Sequence, residues 1–153
     1  MQPHPPVPLE SLNIPLPEKG WYCLDIRTTE EITLYLEYLN KCLESAGFNR
    51  DDLFAIRLSM EEGLLNSIRH GHHFDPSKSI HIRHHITTDR LLAVIEDEGT
   101  GFNPHAIPDP LASENLEREG GRGVFLIRCY MTGILYNETG NCLTLCKDRS
   151  QSM

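Results

Sequence analysis

Residues 79–102 read SIHIRHHITTDRLLAVIEDEGTGF. Ile80, Ile82 and Ile86 alternate with His81, Arg83 and His85, the period of two that puts one set on each face of a strand. Thr88-Asp89 supplies a turn, and RLLAVIED continues as a second strand, so the stretch is a hairpin with one wet side. The second strand runs into three carboxylates, Glu96, Asp97 and Glu98, and two glycines, Gly99 and Gly101. A surface turn needs only about one glycine and one acid. Asp97 at the end of a buried strand can accept a hydrogen bond from an exocyclic amine, and glycines at 99 and 101 leave room for a flat ring against the backbone. A tight turn with acidic decoration accounts for the same residues equally well.

Outward from the hairpin, WYCLDIR at 21–27 reads as a strand. TTEEITLYLEYLNKCLESAG then reads as a helix with Ile32, Leu36, Leu39 and Leu43 on one stripe, capped by Thr28 or Thr29 and ended by Gly47. The stretch from Asn49 to Gly71 is a second helix, capped by Asn49 or Asp51, with Leu53, Ile56, Met60, Leu64 and Ser67 facing inward. GRGVFLIRCYM reads as a third helix, and GILYNETGNCLTLCK as two strands around a turn at Asn137 to Asn141. Residues 103–120, rich in Pro, Asn, Ser and charge, form a loop long enough to act as a lid. This order predicts an α/β two-layer sandwich, with helices packed on one face of a mixed, largely antiparallel sheet. Six of the ten prolines fall in the first seventeen residues, so 1–20 is expected to be a tail outside the core, with a domain at 21–148 and a short tail at 149–153.

With 153 residues the chain suffices for one domain and one site. A net charge of −8 argues against direct nucleic-acid binding, and the absence of a long apolar run or leader-like start argues for a cytoplasmic protein away from membranes. Five cysteines without a CxxC pair fit reduced thiols, with Cys142 and Cys146 as strand packing residues. The eight histidines lack the convergence of a zinc site.

Two further motifs carry chemistry. Glu62, Asn66 and His70 recur every four residues on the second helix, which places them on one face. Glutamate can take a proton from a nucleophile, and an asparagine oxygen can ligate magnesium beside phosphates; His70 is placed to line the same pocket. Gly63 costs helix stability and so implies a close approach. In EGGRGVFLI, Gly120, Gly121 and Gly123 leave amides free at a helix start, with Arg118 and Arg122 nearby to hold phosphate.

Taken in series, MEEGLLNSIRHG, IEDEGTGF and EGGRGVFLI resemble the ATPases shared by gyrase, ninety-kilodalton chaperones, histidine kinases and mismatch-repair proteins, most of all the anti-sigma-factor serine/threonine kinases. The resemblance runs from about Trp21 to Lys147 and implies a Bergerat-type ATP-binding fold. It implies Glu62 as catalytic base and Asn66 as ligand of the magnesium that accompanies ATP. It likewise implies Asp97 as reader of adenine, Gly99 and Gly101 as shapers of its pocket, and Gly121, Arg122 and Gly123 as the phosphate-contacting turn. The family transfers the ATP γ-phosphate to a serine or threonine of an anti-sigma-factor antagonist, with a sigma factor as competing partner; the first helix offers a face for a homodimer. A non-catalytic, partner-binding regulator is the alternative. Gly63, where the family usually has alanine, and Tyr130-Met131-Thr132-Gly133 depart from the family pattern.

Overall fold

The computed structural model describes residues 19–72, 77–99, 130–137 and 141–151, the side chains of 70–72 excepted. The elements are β1 (Tyr22–Ile26), α1 (Thr29–Ser45), α2 (Arg50–Asn66), a π-helical turn (Ser67–His72), β2 (Ile80–Ile86), β3 (Arg90–Asp97), β4 (Gly133–Tyr136) and β5 (Cys142–Asp148). The strands form one sheet in the order β1-β2-β3-β5-β4, and all four described pairings are antiparallel. The helices lie on one face, which is the expected two-layer sandwich. The expected third helix and the lid at 103–120 lie outside the described residues.

Local chemistry sets the helix ends. Thr28 caps α1 by accepting from the Glu31 N–H at 3.2 Å, while the Glu31 carboxylate accepts from the Arg27 N–H and the Thr28 hydroxyl. This reciprocal use of Thr28 and Glu31 satisfies amides that the first turn leaves open. At the other end Gly47 takes φ +97°, Phe48 N–H reaches Leu43 O and Gly47 N–H reaches Glu44 O, a Schellman closure that glycine makes inexpensive. Asn49, rather than Asp51, caps α2 through the Asp52 N–H at 2.8 Å.

Ile32, Leu36, Leu39 and Leu43 of α1 meet Ile56, Met60 and Leu64 of α2 over the inner residues of the sheet, Ile82, Leu91, Ala93, Ile95 and Leu145. The predicted α1 stripe is entirely buried, whereas Leu53 and Ser67 at the ends of the α2 stripe are only half-buried.

The inner face of β2 carries one polar residue between its isoleucines. His84 is 4% exposed, stacks on Tyr22 with ring centroids 4.8 Å apart, and lies 2.8 Å from the Tyr35 hydroxyl through Nδ1. Burial, reinforced by neighbouring His85, lowers the His84 pKa to about 4, so the imidazole is neutral and Tyr35 donates to it. Protonation therefore favours the unfolded chain between pH 6.5 and 4. The contribution is complete above about 6.5 and lost as pH falls through 4, roughly 3 kcal/mol in all. Urea unfolding between pH 7 and 4 is expected to show this loss in the wild type and a shallower one in His84→Gln; identical slopes would remove His84 from the acid response.

Candidate functional site

The site is assembled where the C-terminal half of α2 meets the end of β3. On α2, Gly63 and Asn66 are buried and Glu62 is half-buried. Glu62 and Asn66 stand one turn apart, about 6 Å along the axis. Asn66 is 8% exposed, and among the described residues its Oδ1 has no hydrogen-bond partner. A buried amide oxygen left unpaired costs about 1–3 kcal/mol. Such an atom calls for a cation or a donor to complete it.

After Asn66 the helix widens into the π-helical turn, which packs against β2 and β3. The four-residue register expected to carry His70 along the Glu62–Asn66 face is that of an α-helix, and the change to i→i+5 bonding at Ser67 interrupts it. The His70 side chain itself lies outside the described residues.

The three carboxylates of the opening motif go three ways. Glu96 is exposed on the outer sheet face. Asp97 continues the inward row of Leu91, Ala93 and Ile95 and is only 7% exposed. Glu98 turns back to the start of β2, accepting from the Ser79 N–H at 2.7 Å and lying 3.6 Å from His81 Nε2. The other His81 nitrogen, Nδ1, is 2.7 Å from Asp25, and that hydrogen bond foremost raises the His81 pKa.

The backbone around Asp97 is fixed from both sides. Its N–H donates to Asn141 O at 2.9 Å, its carbonyl accepts from Asn141 Nδ2 at 3.2 Å, and Gly99 N–H donates to Asp97 Oδ1 at 2.8 Å. Asn141 was invisible as a site residue from sequence because it reads only as the far side of the Asn137 turn. Its role depends on β5 pairing beside β3, a contact between residues 44 positions apart.

Thus Glu62 and Asn66 share one helix, and the turn following them packs on the strand that ends in Asp97 and Gly99. Gly101, Arg118, Gly121, Arg122 and Gly123 lie outside the described residues. Among the described residues no group of three or more His, Cys, Asp or Glu could hold a metal, and no helix is long and apolar enough to cross a membrane.

Similarity to known proteins places this arrangement. The chain is 28% identical over 128 residues to the serine-protein kinase RsbW of Staphylococcus epidermidis, spanning 78% of this chain and 80% of that protein. To the serine-protein kinase RsbW of Staphylococcus aureus strain MSSA476 it is 27% identical over 128 residues, with the same coverage of each chain. Residues 27–147 match the model of the histidine kinase-like ATPase domain, a span that includes both helices, all of β2 to β4 and most of β5. With a match across most of its length, and a helix, strand end and sheet arranged as described, the chain belongs to the histidine kinase-like ATPase domain family.

Proposed function

We propose that this protein is a cytoplasmic, ATP-dependent serine/threonine protein kinase of the anti-sigma-factor type, its domain spanning residues 21–148. In this reading it phosphorylates an antagonist protein, exchanges that partner with a sigma factor, and works as a homodimer. The observation that carries the proposal is the buried Oδ1 of Asn66, unpartnered among the described residues and one turn from Glu62, on the helix whose π-helical continuation packs on β3. A hard cation takes oxygen ligands, and magnesium at phosphoryl-transfer sites commonly has one or two from protein, the others coming from phosphates and water. Asn66 fits the protein share of that set. Similarity to two proteins called serine-protein kinases supports the same class of chemistry.

In this reading Asn66 holds magnesium through its amide oxygen, and ATP supplies the γ-phosphoryl group. Glu62, half-buried and able to meet both protein and water, takes the proton of the substrate hydroxyl. Asp97 accepts from the adenine amine, with its backbone fixed by Asn141 and its turn set by Gly99. Gly101, His70, Arg118, Gly121, Arg122 and Gly123 complete the nucleotide pocket.

Calorimetric titration with Mg-ATP tests the pocket. Asp97→Asn retains an oxygen able to accept from Gly99 N–H but presents an amide donor where the adenine amine needs an acceptor. Losing one such hydrogen bond to a charged group costs about 1.5–3 kcal/mol, a weakening of roughly 10- to 150-fold. Equal affinity in wild type and Asp97→Asn would remove Asp97 from adenine recognition, and a folded wild type that binds no Mg-ATP would overturn the kinase reading.

A further inference from the structure

A charged corner of the outer sheet face is tied to the end of β3. His81 sits on that face of β2, opposite Asp25 on β1 and Glu96 on β3. Its Nδ1 lies 2.7 Å from Asp25 Oδ1 and its Nε2 3.6 Å from Glu98 Oε1, so one imidazole spans β1, β2 and the turn after β3. The same Glu98 oxygen accepts from the Ser79 N–H at 2.7 Å. Ile80 and Asp97 are the last backbone pair of the β2–β3 ladder, so Glu98 extends that ladder by one rung through its side chain. Ser79 is 6% exposed and its hydroxyl accepts from Arg27 Nε at 3.1 Å, which gives the rung a fixed base.

What holds Glu98 bears on Asp97. The N–H that Gly99 donates to Asp97 Oδ1 belongs to the peptide joining Glu98 to Gly99. Asn141 fixes the Asp97 backbone from the β5 side, but the direction of that next peptide, and with it the orientation of the Asp97 carboxylate, follows the anchoring of Glu98. The contact between His81 and Glu98 becomes an ion pair when the ring carries its second proton. The hydrogen bond to Asp25 raises the His81 pKa above its ordinary value; burial opposes this, and the charges of Asp25, Glu98 and Glu96 add to it. Arg83, two residues along the same face, and Arg27, on Ser79, keep their charge throughout.

We infer that Glu98, anchored by Ser79 and His81, is a positioning residue for the Asp97 carboxylate, and that protonation of His81 sets how firmly the turn from Asp97 to Gly99 is held. The consequence for adenine recognition rests on the function proposed above; the link from His81 to the turn does not. Because the linked state favours the proton, the link is complete below the ordinary histidine pKa of 6.5 and is lost as pH rises through the raised value. Mg-ATP affinity is accordingly expected to fall at alkaline pH by roughly two- to fivefold, the scale of an ion pair between half-exposed groups.

NMR of the full chain from about pH 6 to about pH 9 reads the link without nucleotide, through carbon-bound protons that persist at alkaline pH. The Gly99 α-proton signals are expected to follow the His81 ring titration in the wild type and to stop following it in E98Q, where the His81 midpoint also falls; H81Q, checked like E98Q for native circular dichroism, is expected to lose the inflection. Gly99 signals that ignore His81 in the wild type, or still follow it in E98Q, would overturn the proposal. Calorimetry with Mg-ATP then compares wild type, H81Q and H81K over the same range, so that titrations common to all three cancel. H81Q is expected to bind weakly at both ends, H81K, charged throughout, more tightly at both, and the wild type to pass from the second behaviour to the first. Parallel affinities in all three would remove His81 and Glu98 from nucleotide recognition. A wild type whose Gly99 follows His81 yet binds no Mg-ATP would uphold the link and overturn the kinase reading, so the two failures are told apart.

Discussion

Glu62→Gln is expected to lower phosphotransfer to the cognate antagonist by roughly 10²–10⁴-fold, the usual contribution of a positioned general base. Mg-ATP affinity is expected to change little, because Glu62 stands a full turn from Asn66 and is proposed to act on the substrate hydroxyl, not on the nucleotide. Gln keeps the size and half-buried position of the side chain and removes only its capacity to take a proton. The measurement is transfer of labelled γ-phosphate to the antagonist at saturating Mg-ATP, beside calorimetry of the same variant. Undiminished transfer would strip Glu62 of its role. Should the wild type capture the antagonist stoichiometrically while transferring nothing, the non-catalytic alternative would stand in its place.

The second large effect concerns stability. Asp52, in the first turn of α2, is 1% exposed; it accepts from Ser150 N–H at 2.8 Å and Ser150 Oγ at 2.6 Å, with Lys147 Nζ at 3.9 Å. This ties the helix that carries Glu62 and Asn66 to the chain just past β5. Asp52→Ala would leave the Ser150 amide and hydroxyl and the largely buried Lys147 without their acceptor, and would remove a negative charge from a helix N-terminus. Removing one partner of a buried, hydrogen-bonded charge typically costs about 3–5 kcal/mol. Urea unfolding should show a loss of that order, and Asp52→Asn, which keeps one acceptor oxygen, a smaller one. A loss under about 1 kcal/mol would mean that water replaces the contact.

Asp52 and His84 mark where sequence reasoning stopped. Both sit in polar surroundings when read along the chain: Asp52 beside Asp51 at a helix start, His84 within HIRHH. Their burial is decided by partners 98 and 49 residues away, Ser150 and Tyr35, and no local spacing encodes such a pairing. Asn141, which fixes the backbone of Asp97, was hidden for the same reason.

What the sequence determined by itself is whatever depends on near neighbours. The period of two in β2 and β3, the stripe of α1, capping at Thr28 or Thr29 and at Asn49 or Asp51, and the Gly47 ending are local free-energy preferences, acting within about one or two turns. The order of Glu-x-x-x-Asn, Asp-x-Gly-x-Gly and Gly-x-Gly carried the family as well, because spacing along helices and turns fixes which chemical groups can share a face. Tertiary structure alone decided which polar groups are dry: the Oδ1 of Asn66 left unpaired among the described residues, Asp97 turned inward while Glu96 turns out, His84 neutral in the core. Burial depends on what the rest of the chain brings alongside, and desolvation gives the same asparagine or aspartate a different chemistry inside than on the surface.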